Sequence, residues 1–242
     1  MGRSISIRPV EWEYGRFPGV LALNPEFREG QDIIKLQLEV RCDGDDPFGE
    51  LRALHHHLES VCPSLADHNC RGGMDFRHFP ESSAEGHALD EGEPGLAAAH
   101  LIEHVMIDTI AYLSRAESVS GITGALNEST DRFDVFVECP DSRAGEVAVH
   151  LALGWTSAIL SGPDLNGRGR LTLELARHLY LKWPNAVSLA AATRSLGLAT
   201  AAVRQAFRWL EDRGIARGEP QTINFSGEPF LSLRATKDPC RN

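Results

Sequence analysis

Five consecutive residues, His100-Leu101-Ile102-Glu103-His104, hold side chains that can bind a metal ion and move a proton. On a helix, positions 100 and 104 stand one turn apart on one face, with 103 beside them. Two imidazoles so placed can both reach one ion, and the neighbouring carboxylate can hold a metal-bound water. This is the H-x-x-E-H pattern, in which the two His are ligands and the Glu is the general base. The plain alternative is a surface helix carrying two solvated His and a Glu.

The surrounding residues favour a helix over Gly95 to Leu113. Pro94 and Gly95 precede it, Ala97 to Ala99 are strong helix formers, and apolar residues follow at helical spacing. Upstream, Ile33 to Val40 alternates as a strand with Leu36, Leu38 and Val40 on one face. Phe48 to Val61 reads as a helix with the stripe Leu51, Leu54, Leu58 and Val61. His55, His56 and His57 point in three directions on that helix, so they cannot share one ion and are expected to be mostly solvated. Cys62 to Gly95 is rich in loop residues and contains His68, Cys70, His78 and His87 at no standard zinc-knuckle spacing. Ser118 to Glu128 reads as a turn. Phe133 to Cys139 alternates as a strand, and Ala144 to Leu160 is a second strong helix with Val147, Leu151, Trp155 and Ile159 in register.

The last third differs in character. Ser161 to Arg170 has the composition of a linker. Helices are expected over Leu171–Trp183, Ser188–Leu196 and Thr200–Asp212, then strands at Thr222–Phe225 and Phe230–Leu233. Three helices, a tight turn at Gly197 and a terminal hairpin make a winged-helix pattern. Charge follows the same division. Residues 160–242 carry 12 Lys and Arg against 7 Asp and Glu, leaving 12 and 27 to residues 1–159, so the net charges are +5 and −15 within a total of −10. The expected fold class is therefore α+β: a mixed sheet with packed helices over 1–160, a linker over 161–170 and a winged helix over 171–242.

An apolar fraction of 42% suits a globular core. No apolar run approaches the roughly 18 residues of a membrane span, and residues 1–20 lack the apolar stretch of a secretory signal. Five scattered Cys without a C-x-x-C pair fit free thiols in a cytoplasmic protein.

Pro63 to Leu160 resembles the N-terminal domain of cyanophycin synthetases. The resemblance runs through Pro63-Ser64-Leu65, Asp67-His68-Asn69-Cys70 and Arg71-Gly72-Gly73, then His100 to Asp108, where the family tends to read H-x-x-E-H-V-A-L-E. It ends with Phe133 to Glu138 and Arg143-Ala144-Gly145, order and approximate spacing being kept over about a hundred residues. It implies a metallopeptidase-like, zinc-dependent site. By position, His100 and His104 are ligands, Glu103 is the base, and Glu138 is the expected third ligand. A catalytic zinc takes three protein ligands and a water, and Glu138 is a carboxylate at a strand end outside the helix. Asp108 replaces the family's Glu and is placed to accept the second N–H of an imidazole. His68 and Arg71 are expected near the substrate. The synthetic domains of the family are absent, and Asp75 to Gly92 is unlike it.

Two functions compete. One is a zinc hydrolase of a peptide or isopeptide bond, acting on a peptide or polymer. The other is a DNA-binding regulator with an acidic, metal- or ligand-sensing N-terminal domain. For the second, Arg204 and Arg208 one turn apart with Gln205 between them occupy the recognition-helix place, and Arg194, Arg213 and Arg217 are candidates for phosphate contacts. The C-terminal unit could equally contact protein or form a homo-oligomer, and an inactive scaffold is a third reading. Glu103 favours the hydrolase, because a base that binds no metal serves neither a scaffold nor a pure regulator.

Overall fold

The computed structural model describes residues 5–43, 45–62, 64–65, 93–125, 131–162, 165, 167–219 and 230–233. It is an α+β fold built on an antiparallel four-stranded sheet. The strands are β1 (Ile5–Gly15), β2 (Ile33–Cys42), β3 (Gly121–Ala125) and β4 (Arg132–Glu138), in the order β1-β2-β4-β3. Between β1 and β2 lies the short helix α1 (Val20–Leu23).

Side-chain alternation gives this sheet two unlike faces. Ile34, Leu36, Leu38 and Val40 of β2 stand with their partners Val137, Val135 and Phe133 of β4 on one face, all buried. Helices α3 (Pro94–Ser114) and α4 (Ser142–Leu160) cover it, and α2 (Pro47–Glu59) packs on both of them. Gly145 lets α4 lie close, because a Cβ there would stand 3.1 Å from Ile34. The other face holds Ile33, Ile122 and Phe136 under Phe17, Val20 and Phe27, a much smaller cluster.

Most expected elements are present, with three differences. Strand β1 gives little periodic signal because it is an edge strand whose residues are mostly exposed or half-buried. The stretch expected as a turn contains β3; Gly121-Ile122-Thr123-Gly124-Ala125 is too short and glycine-rich to alternate. His55 is buried at 7% exposure and its burial lowers its pKa, whereas His56 and His57 are exposed.

Beyond α4 come α5 (Arg168–Lys182), β5 (Val187–Ser188), α6 (Leu189–Leu196), α7 (Thr200–Asp212), β6 (Ala216–Glu219) and β7 (Phe230–Leu233). The three short strands form a second antiparallel sheet, β5-β7-β6. Its first hairpin strand lies at 216–219, where Ala216 pairs with Leu233; the strand expected at 222–225 falls outside the described residues. Ser188 caps α6 by accepting from the Ala191 N–H at 3.1 Å, and Gly197 ends it at φ 64°.

No break in packing marks the expected linker. Helix α5 begins within it and packs on α3 and α4. One hydrophobic core runs from Ile5 to Leu233. Trp155 of α4 donates to the Thr172 hydroxyl at 3.3 Å and lies against Trp209, while Tyr180 donates to Asp141 at 2.7 Å. The other oxygen of Asp141 caps α4 by accepting from the Arg143 and Ala144 N–H groups. These contacts make α5 a shared element of both sheets' surroundings.

Candidate metal and proton-transfer site on helix α3

Helix α3 opens with Pro94 in its first turn and closes at Arg115 in the left-handed region, φ 60°. It is 21 residues long and apolar enough to cross a membrane, yet 72% of that apolar window is buried inside the fold. It is therefore a core helix, and polar groups on it require a reason. Glu103, His104 and Asp108 are buried, at 4%, 3% and 8% exposure, and His100 is half-buried.

The two imidazoles converge as their spacing predicts. His100 Nε2 and His104 Nε2 lie 2.8 Å apart, with ring centroids at 4.5 Å and planes inclined by 59°. Nitrogens so close share either one proton, between rings of opposite tautomer, or one cation facing both lone pairs. Tetrahedral zinc, with Zn–N of about 2.0–2.1 Å, sets two such nitrogens about 3.3 Å apart, so a small rotation of the rings admits the ion.

Glu103 points at β3. Its Oε2 accepts from the Thr123 hydroxyl at 2.5 Å. A Cβ at Gly121 would stand 2.6 Å from Glu103 Oε1, so this carboxylate occupies the space that a side chain at 121 would need. Sequence reasoning missed both residues. Their one signal was the β-branched pair Ile122-Thr123 between glycines, and it was read as turn chemistry.

Glu138 is not brought to the imidazoles, and its expected role as third ligand is corrected here. It pairs with Ile33 and so shares the face of Ile33 and Phe136, opposite to α3. There its carboxylate accepts from the Arg28 N–H at 2.6 Å, the Arg28 guanidinium at 3.3 Å and the Ser120 N–H at 3.3 Å. The parity of the strand decides this: Val135 and Val137 face the helices, so 138 cannot. Among the described residues no group of three or more His, Cys, Asp and Glu side chains surrounds one point. The described residues thus offer two nitrogen ligands.

Asp108 lies one turn beyond His104 on α3. Burial raises the thiol pKa of Cys62, and the charge of Asp108 adds to the rise while Arg170 opposes it. His68 and Arg71 lie outside the described residues. Cys42, Cys62 and Cys139 are free thiols.

On α7, Arg204, Gln205 and Arg208 are exposed, as is Arg194 on α6. Arg213 is half-buried: its guanidinium stacks 3.7 Å from the Trp209 ring and donates to the Trp209 carbonyl. Glu211 accepts from the Gly218 N–H of β6 at 3.0 Å. A cavity of about 210 Å³ between α5 and α7 is lined by Arg168, Leu171, Gln205, Arg208 and Trp209.

No protein-family model matches this chain, and a search of curated proteins returns no match.

Proposed function

We propose that this chain is a metal-dependent hydrolase of peptide or isopeptide bonds, with its site on α3. The observation that carries the reading is the convergence of His100 and His104 beside a buried Glu103 on a core helix. The resemblance of residues 63–160 to the N-terminal domain of cyanophycin synthetases supports the same reading. Imidazole pairs suit zinc. His100 and His104 would hold the ion, which would supply Lewis acidity and an acidified water. Glu103 would be the general base, taking a proton on its carboxylate and delivering it to the leaving nitrogen. The Thr123 hydroxyl fixes the carboxylate's orientation. Elemental analysis of purified wild type and His100→Ala tests the reading. About one zinc per chain is expected, lost in the variant. Metal-free protein whose thermal midpoint ignores added zinc sinks it.

A second reading rests on a different observation. The order helix, strand, helix, helix, strand, strand over 168–233 is compatible with a winged helix, and Arg204, Gln205 and Arg208 stand exposed on the third of these helices. As a DNA-binding unit it would hold random-sequence duplex at low salt and release it steeply as salt rises. Titration of the full chain and of an Arg204→Ala/Arg208→Ala variant checks this. Absence of binding at low salt leaves the unit as a protein contact.

A further inference from the structure

We propose that the outer edge of β3 binds the backbone of an extended peptide, adding it to the sheet beside Glu103. This rests on the hydrolase reading and states how that site holds its substrate.

Strand β3 ends the order β1-β2-β4-β3, and β4 is its only strand partner among the described residues. In an antiparallel ladder, alternate residues turn their N–H and C=O groups toward the partner and away from it. The Glu138 N–H donates to the Ser120 carbonyl at 2.9 Å, which sets the phase. Residues 120, 122 and 124 face β4, and Gly121, Thr123 and Ala125 face outward. Asn24 confirms it from the other side, since its Nδ2 donates to the Gly121 carbonyl at 3.0 Å. The outward row is then the N–H groups of 121, 123 and 125 and the carbonyls of 123 and 125.

Edges not meant for pairing carry Lys, Pro or bulges. This one reads Gly-Ile-Thr-Gly-Ala and carries neither Lys nor Pro. The same residues reach the catalytic carboxylate: the Thr123 hydroxyl bonds Glu103, and Gly121 leaves it room. The least-buried line of α3 passes Leu96, His100 and Ile107. Ile107 Cδ1 stands 2.9 Å from where a Gly121 Cβ would be, so this line runs along β3. A strand added about 4.8 Å from β3 would place alternate side chains toward α3. The pairing row suits about five residues of extended chain, at about 3.4 Å each. The substrate class is thus an unfolded or polymeric peptide rather than a helix or a compact domain.

The test uses the full-length Glu103→Gln protein loaded with zinc and dephosphorylated β-casein as an extended probe. Hydrogen exchange should slow at 121–125 and stay unchanged at 5–15, the opposite sheet edge. Ala125→Pro removes one outward N–H without touching the β4 ladder or Glu103, and should weaken casein binding about fivefold, the worth of one backbone hydrogen bond. Casein bound without protection at 121–125, full-strength binding by Ala125→Pro, or no binding at all overturns the proposal. If Ala125→Pro does not fold, protection at 121–125 decides alone. Protection at 121–125 with no cleavage by wild type upholds the edge and sinks the hydrolase reading. Cleavage with KM unchanged in Ala125→Pro does the reverse.

Discussion

Glu103 and Glu138 are both buried carboxylates, 4% and 1% exposed, set on opposite faces of one sheet. Glu138 is met by a guanidinium and two backbone N–H groups. These tie the segment after α1 and the segment before β3 to the end of β4, which makes the group a fastener. Glu103 accepts from the Thr123 hydroxyl and belongs to the same helical turn as the pair of imidazoles. A carboxylate matched by fixed charge and amides has little left to do. One held by a hydroxyl beside titratable rings can carry a proton. Burial alone does not separate the two.

The contrast predicts opposite outcomes for like substitutions. Glu103→Gln should lower turnover at least about a hundredfold while zinc content and thermal midpoint hold, because general-base loss is worth about that factor. Activity equal to wild type removes the mechanism. Glu138→Ala should cost about 2–4 kcal/mol in denaturant unfolding, since two N–H groups lose their acceptor. Its zinc content and its activity per folded molecule should be those of wild type. Metal lost at unchanged stability would return Glu138 to the ligand set and erase the contrast. Thr123→Val should lower kcat about tenfold with KM little changed, and Thr123→Ser should restore it, as an orienting hydroxyl requires. A Val variant with wild-type kcat leaves Glu103 without its positioning partner.

The smallest effect concerns pH on the helical face. Burial holds His55 neutral in the folded state below the pH at which the unfolded imidazole charges, about 6.5. With the folded pKa depressed, the unfolded chain binds more protons as pH falls. The contribution of His55 is therefore present above about 6.5 and is lost on acidification through the folded value. The thermal midpoint should drop between about pH 7.5 and 5.5, and His55→Gln should flatten that part of the curve. An unchanged curve in the variant assigns the acid sensitivity elsewhere.

The elements nearest the core were legible in the sequence because core elements bury a periodic face. Strand β2, helix α2, α3 with its His pair, β4 and α4 all carry that signal, and so do α6 and α7, with Ser188 and Gly197 marking the ends of α6. Edge strands bury too little to leave one. That is why β1 passed unnoticed, β3 read as a turn, and the strand at 216–219 was sought further on.

By itself the sequence determined that His100, Glu103 and His104 share one turn-spaced patch, because helical geometry is local and needs no other part of the chain. It also determined the sign of charge in each part. Only the tertiary structure decided that Glu138 stands away from the imidazoles, because strand parity and register turn it to the far side and depend on pairing distant segments. The same holds for Thr123 and Gly121, which reach Glu103 across a strand and a helix. It holds too for α5, which packs on α3 and α4 as well as on α7, a fact of packing that a linker-like composition at 161–170 conceals.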